Sequence, residues 1–198
     1  MTKEAHKITF DDLMPMDQYA KTRSERRKAM TELKKNRRVA VGPDATFYFE
    51  SYETMWHQVH EMLHIERGGM EQIKDDLAAY NPLIPNGNEL VATLMFEIDD
   101  ADRRAKFLAG LGGVEKKISF RFDGETVTGV PEEDIDRTTA EGKASSIQFL
   151  HFPFTTEQVK KFRAPGTEVT LGIAHEKYGH MAIVPEVVRQ TLAEDFDS

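Results

Sequence analysis

The spacing of hydrophobic and polar positions divides the first part of the chain into helices around one short hairpin. Two runs rich in β-branched and aromatic residues surround Gly42-Pro43-Asp44, a combination typical of a hairpin turn. Further on, a helical repeat of hydrophobic positions stops at Gly68-Gly69, and glycine commonly ends helices. The predicted elements are a first turn capped by Thr9, a helix over 18–36, strands over 38–41 and 46–50, and helices over 52–67 and 70–80.

From residue 88 onward the chain repeats its order of elements. A strand, a helix and a hairpin are followed by a polar loop over 131–144, and the same order then returns without a residue-level repeat. Two successive β-α-β-β units predict a mainly antiparallel sheet with helices on one face, which is an α+β fold. The predicted elements are a strand over 90–98, a helix over 99–111, a hairpin of 117–122 and 126–130, a strand over 146–154, a helix over 155–163, a hairpin of 167–174 and 180–184, and a helix over 186–196.

We therefore expect a single domain over residues 1–198. Its predicted parts are a helical N-terminal arm over 1–38, a hairpin with two helices over 39–87, and the two β-α-β-β units over 88–198. A chain of 198 residues is long enough for one well-packed core.

Composition narrows the class of protein. Apolar residues make up 39% and charged residues 30%, which is typical of a globular protein in water. The sequence has neither an apolar run of the roughly 18–20 residues that span a bilayer nor an apolar signal peptide. It has no cysteine, so a metal site would have to use histidine and carboxylates. These features predict a cytoplasmic protein that does not insert into membranes.

Charge is distributed unevenly along the chain. The net charge is −8, but residues 21–38 carry nine Lys or Arg against two Glu, which leaves the rest of the chain near −15. A net acidic charge argues against nucleic acid as the principal partner. The basic segment is interpreted as a solvated helix that can also dock on the acidic body.

The helix predicted over 52–67 concentrates the candidate chemistry. At 100° per residue, one stripe over three turns collects Glu53, His57, His60, Glu61 and His64. The opposite side collects Met55, Trp56, Val59, Met62 and Leu63, which are expected to face the core. Imidazoles and carboxylates at these spacings can reach one metal ion, and the alternative is an ordinary solvated polar face.

Residues His60 to His64 also match H-E-x-x-H, the motif of zinc proteases. In such an enzyme Glu61 would be the general base, and a third ligand would come from elsewhere in the chain. One extension of the motif requires glycine at position 67 and histidine at position 70, where this chain has Arg67 and Met70. A zinc hydrolase is therefore the least favoured hypothesis.

A second group of histidines lies in the C-terminal half. The hairpin tip HEKYGH would place His175 and His180 nearly opposite one another. His151 shares a strand face with Ile147 and Phe149, which is more typical of a hydrogen-bonded core histidine than of a ligand. If this group met the helix stripe, it could complete a metal site or supply an axial haem ligand.

Several segments resemble the bacterial family called domain of unknown function 3501, over nearly the whole chain. They are ITFDDLMPMDQYAKTR, RRVAVGPDATFYFES, QVHEML, AYNPLIPNG, LVATLMFEI and SSIQFLHFPF. The resemblance implies a soluble bacterial protein without an established activity. Because members are often encoded beside rubrerythrin-like and Fe–S oxidoreductase proteins, it also implies such redox partners and a link to iron, oxygen or peroxide stress.

Two hypotheses of function follow. The first is a protein that binds iron, zinc, manganese or haem through the helix stripe, with His151, His175 and His180 as further candidate ligands. The second is an adaptor or scaffold without a cofactor, which docks redox partners through its acidic body and basic helix. A homo-oligomer is compatible with both.

Overall fold

A computed structural model describes residues 6–132 and 143–197. The helices are α1 (Met16–Lys35), α2 (Tyr52–Glu66), α3 (Gly69–Tyr80), α4 (Ala101–Ala109), α5 (Thr156–Arg163) and α6 (Glu186–Ala193). The strands are β1 (Arg38–Val41), β2 (Ala45–Phe49), β3 (Glu89–Phe96), β4 (Ile118–Phe122), β5 (Glu125–Thr128), β6 (Val130–Pro131), β7 (Ile147–Pro153), β8 (Thr170–His175) and β9 (Tyr178–Ile183). The α+β class and the twofold β-α-β-β order are confirmed.

Local capping explains most of these bounds. The Ser51 hydroxyl accepts a hydrogen bond from the backbone of Thr54 and begins α2, and α2 ends where Arg67 adopts a left-handed conformation. Asp100 caps α4 in the same way as Ser51 caps α2, through the backbone of Arg103. Pro15 lies immediately before α1 and accepts the first helical hydrogen bonds, so α1 begins two residues earlier than predicted.

The strands form two antiparallel sheets, and the prediction of one sheet is wrong in this respect. Sheet A has the order β1-β2-β3-β7-β6, and sheet B has the order β5-β4-β8-β9. The leading strands of the two units, β3 and β7, pair in sheet A, whereas their hairpins pair through β4 and β8 in sheet B. The two units are thus interleaved across both sheets.

Burial along β3 shows why a second sheet is needed. Leu90, Leu94 and Phe96 belong to the main core, which also contains Phe120 and Leu171 of sheet B. Residues on the other face of sheet A, among them Val91 and Phe149, pack with α2 and α3 in a second cluster. With apolar residues on both faces, sheet A is covered by helices on one side and by sheet B on the other.

A buried tyrosine joins the two sheets along one side. The Tyr178 hydroxyl on β9 donates to the Val41 carbonyl on β1 at 2.8 Å and accepts from the Asp44 amide at 3.0 Å. Between them Gly42 has φ +72°, and a Cβ there would lie 2.7 Å from the Tyr178 hydroxyl. The turn therefore needs glycine both for its conformation and for the close approach of Tyr178.

The helix α1 lies outside these layers and packs on α2, with Tyr19 as its one fully buried side chain in the described chain. No helix within residues 6–132 and 143–197 combines the length and apolar character needed to cross a membrane.

We expect Tyr178→Phe to lower the free energy of unfolding by about 1–3 kcal/mol, because it leaves a buried carbonyl and a buried amide without their partner. The matched control is Tyr48→Phe, which removes a hydroxyl bonded to exposed Glu97 and should change stability by less than about 0.5 kcal/mol. Urea unfolding measures the free energy of unfolding of both variants. Equal losses of stability in the two variants would contradict the role given to Tyr178.

Candidate functional site

The helix α2 is covered on two sides. Met55, Val59 and Leu63 are buried in the second hydrophobic cluster, as predicted. The polar stripe was expected to point away from the core toward solvent or a ligand, but α1 and the residues before it lie over much of that stripe. The centre of the stripe, His60, has 0% exposure.

Both ring nitrogens of His60 are engaged by backbone groups. The Met14 amide donates to Nε2 at 2.9 Å, and Nδ1 lies 2.7 Å from the Trp56 carbonyl. Because a carbonyl can only accept and an amide can only donate, the ring is the neutral tautomer with its proton on Nδ1. Burial lowers the pKa of His60 to about 4, so the ring stays neutral near pH 7.

The carboxylate of Glu61 is held by two residues of α1. Arg23 donates from Nε and Nη2 to its two oxygens, each at 2.8 Å, and the Tyr19 hydroxyl donates to Oε1 at 2.8 Å. The Arg23 hydrogen bonds, helped by Tyr19, lower the pKa of Glu61 to about 2. Burial raises the pKa of Tyr19, which therefore remains a donor.

An aromatic group completes the contact between α1 and α2. The Trp56 ring centroid lies 3.7 Å from that of His60, and its Nε1 donates to the Asp12 carbonyl at 2.9 Å. The Arg26 guanidinium lies 5.1 Å from the Trp56 centroid, within the range of a cation–π contact. Trp56 packs against the second hydrophobic cluster, as predicted, and also lies beside the stripe and beneath α1.

The remaining stripe residues lie around this contact. His57 has Nδ1 at 3.3 Å from the Tyr19 hydroxyl, and burial lowers its pKa. His64 is half-buried with its ring centroid 6.1 Å from that of Tyr19. Glu53 accepts from the Ser51 hydroxyl at 3.0 Å, at the start of α2. Part of the stripe and Trp56 together form the surface of α2 that α1 and the residues before it contact. We call this surface the α2 seat and define it by His57, His60, Glu61 and Trp56.

These bonds leave little support for the zinc-hydrolase hypothesis. A general base must accept a proton from water, but Glu61 is neutralised by Arg23, and the Nε2 of His60 already accepts from Met14. Across the described parts of the chain, no group of three or more His, Asp or Glu is arranged to hold a metal ion.

His151 lies apart from the α2 seat, between two carboxylates. Its Nδ1 is 3.0 Å from Glu89 of β3, and its Nε2 is 2.6 Å from Glu132, which follows β6. The hydrogen bond to Glu89, followed by that to Glu132, raises the pKa of His151. The sequence placed His151 on the correct strand and favoured a hydrogen-bonded histidine, and the structure gives it two carboxylate partners.

The other two candidate histidines also lie elsewhere. His175 pairs with Tyr178 across the β8–β9 hairpin, and its Nε2 is 3.3 Å from the Gly112 carbonyl. His180 pairs with Ile173 and is exposed, so the prediction that His175 and His180 face each other is wrong. The reason is a turn of only two residues, which brings β9 back from Tyr178 rather than from His180.

Sequence reasoning missed Tyr19 and Arg23, the residues of α1 that occupy the α2 seat. Their spacing of four places them on one helix face, which was a usable signal. It also missed a buried ion pair between Arg37 and Asp195, in which burial raises the pKa of Asp195 to about 6. Arg37 and Asp195 line a cleft of about 600 Å³ together with Glu53. Local sequence patterns do not indicate an ion pair between residues so far apart in the chain.

A second concavity of about 500 Å³ lies on the other side of the contact between α1 and α2. Arg27 and Lys28 are exposed there, one helical turn beyond Arg23 and Ser24. We call it the basic groove, and its lining residues are Ala20, Arg23, Ser24, Arg27, Lys28, Thr31 and His64. Of these described residues none is acidic.

The α2 seat predicts a loss of stability in acid. The ordinary pKa of histidine is about 6.5, so the unfolded chain takes up a proton at higher pH than folded His60 does. The His60 contribution to the free energy of unfolding should be at its full value above about pH 6.5 and fall by up to about 3 kcal/mol by pH 4. Asp195 and His151 have raised pKa values and act in the opposite sense, so the His60 contribution is the difference between the parent protein and a variant without the imidazole. Loss of the Glu61 contribution should follow between about pH 4.5 and pH 2.

Urea unfolding across this range measures the effect, with His60→Gln as the comparison. Glutamine can still accept from Met14 and donate to Trp56 but does not titrate, so the fall between pH 6.5 and 4 should become shallower. An unchanged pH profile would show that His60 is not a buried neutral side chain.

Comparisons with known proteins give a family and a solved structure of similar fold. The model of the family described as "Protein of unknown function (DUF3501)" matches residues 7–196. A crystal structure of a novel protein of unknown function from Burkholderia pseudomallei K96243 is 34% identical and has a TM-score of 0.89. That match covers 96% of this chain and 100% of the other. The chain matches no curated protein significantly. The chain therefore belongs to the DUF3501 family of proteins of unknown function.

Proposed function

We propose that the protein is an adaptor that docks an acidic segment of a partner protein on the outward side of α1. The observation that carries this proposal is that the cationic side chains of α1 point in two different directions. Arg23 and Arg26 turn inward to Glu61 and Trp56, whereas Arg27 and Lys28 remain exposed beside the basic groove.

The inward contacts support the proposal because they fix the rotation of α1 about its own axis. Tyr19, Arg23 and Arg26 follow one face of the helix, and each contacts a residue of the α2 seat. A helix fixed in this way holds the backbone positions of its remaining cations constant. Only their side chains, and not the helix, then lose conformational entropy when a partner binds.

The distribution of charge supports a compact acidic partner segment. The chain outside residues 21–38 carries a net charge near −15, which repels a broad acidic surface or a nucleic acid. A short acidic segment that stays within the basic groove gains attraction from α1 with less of that repulsion. A redox protein of the kind implied by the family resemblance can present such a segment.

The alternative proposal is a transition-metal or haem protein that uses His57, His60, Glu61 and His64, with Glu53, His151, His175 or His180 in addition. It is supported by the concentration of three histidines on one helix side. It requires His60 and Glu61 to release Met14, Tyr19 and Arg23, and each of those partners would then need a new hydrogen-bond acceptor. The adaptor proposal needs no such rearrangement.

A glutamate-rich peptide with a fluorescent label tests the adaptor proposal. Arg27→Glu/Lys28→Glu should weaken its binding at least about tenfold, because the substitutions reverse two charges at the docking surface. Lys116→Glu/Lys117→Glu makes the same change in net charge at two exposed positions between α4 and β4 and should leave binding within about twofold.

Fluorescence anisotropy at about 0.15 M salt measures both variants. Equal losses in the two variants would mean that net charge alone attracts the peptide, against a docking surface on α1. Tighter binding of a single-stranded DNA of the same charge would also contradict the proposal.

Metal analysis separates the two proposals. Under the adaptor proposal, protein purified without a histidine tag holds only substoichiometric metal, and His57→Ala/His60→Ala leaves that content unchanged. A stoichiometric metal that the double substitution removes, or a Soret band after haem is added, would support the alternative instead.

A further inference from the structure

We propose that the basic groove recognises a phosphorylated serine or threonine in the partner segment. This inference rests on the proposed function and names the chemical group that the docking surface selects. The groove is lined by seven residues of α1 and α2, and its volume of about 500 Å³ lies within the range of ligand sites in proteins.

The groove collects cations from two helix turns. Arg27 lies one helical turn beyond Arg23, Lys28 is the next residue, and all three line the groove. Across from them is the half-buried imidazole of His64 on α2. Glu61 balances the charge of Arg23, so the net positive charge of the groove comes from Arg27 and Lys28. None of the described lining residues is a carboxylate, whereas the cleft beside Arg37 also contains Glu53, Asp195 and other acidic residues.

One of these cations is held rigidly before any ligand binds. Arg23 makes two hydrogen bonds to Glu61, and Glu61 is also bonded to Tyr19, so the guanidinium cannot turn away from the wall of the groove. Arg27 and Lys28 are exposed and can close over an anion from the solvent side. A groove with one fixed and two mobile cations can enclose a tetrahedral anion on several sides.

Phosphate fits this arrangement better than a single carboxylate. A phosphomonoester carries a charge of about −1.5 to −2 near pH 7 and has three acceptor oxygens, so it can engage Arg27, Lys28 and the exposed Ser24 hydroxyl together. A carboxylate offers one charge and two oxygens. The acidic remainder of the chain also favours an anion whose charge is concentrated in a small volume.

The test compares three versions of one labelled peptide, with phosphoserine, glutamate or serine at its central position. The full-length protein should bind the phosphoserine peptide at least about tenfold more tightly than the glutamate peptide, because two charge-assisted bonds are added. Arg27→Ala/Lys28→Ala should remove most of that preference, and Ser24→Ala should reduce it about threefold. Lys116→Ala/Lys117→Ala is the matched control and should retain it.

The binding results distinguish phosphate recognition from docking of an acidic segment. Equal binding of the phosphoserine and glutamate peptides, both weakened by Arg27→Ala/Lys28→Ala, would overturn phosphate recognition and leave the docking surface in place. No binding of any peptide would overturn both proposals. Competition by inorganic phosphate at the affinity of the phosphopeptide itself would overturn recognition of a partner segment, because the groove would then be a site for a small free anion.

Discussion

The arrangement of α1 depends on the burial of His60 beneath it. An imidazole removed from water needs a partner for each ring nitrogen, and the chain provides the Met14 amide on one side and the Trp56 carbonyl on the other. Because the Met14 amide lies just before α1, this bond attaches the start of the helix to α2. Glu61, one residue later on α2, then determines the rotation of α1 through Arg23 and Tyr19.

The contact between α1 and α2 determines which cations of α1 are used internally and which remain exposed. The helix α1 has few apolar side chains to bury, and Tyr19 alone among its residues is fully buried. Its attachment therefore relies on hydrogen bonds, a bidentate ion pair and a cation–π contact, which are directional and allow one orientation. Arg27 and Lys28, which take no part in these contacts, line the basic groove together with Arg23.

The sequence was informative wherever structure depends on near neighbours. The end of α2 at Arg67, the capping residues Asp100 and Thr155, and the repeated β-α-β-β order all follow from local spacing and turn chemistry. Pairing between β4 and β8 could not be predicted, because their hairpins lie about fifty residues apart and the hydrophobic alternation of each strand is satisfied by either one sheet or two.

The polar stripe on α2 was predicted correctly as a pattern but not in its role. His57, His60, Glu61 and His64 do lie on one side of the helix, and the wheel does not reveal whether a metal ion, solvent or another helix faces them. The decisive partners, Met14, Tyr19 and Arg23, lie about forty residues earlier. One of them contributes a backbone amide, which no side-chain pattern can indicate.

The most direct test of the α2 seat is the protonation of the two ring nitrogens of His60, observed by nitrogen-15 NMR near pH 7. Our account predicts a neutral ring with the proton on Nδ1 and with Nε2 as a hydrogen-bond acceptor. A proton on Nε2, a doubly protonated ring, or a shift of Nε2 that marks a bond to a metal would contradict it.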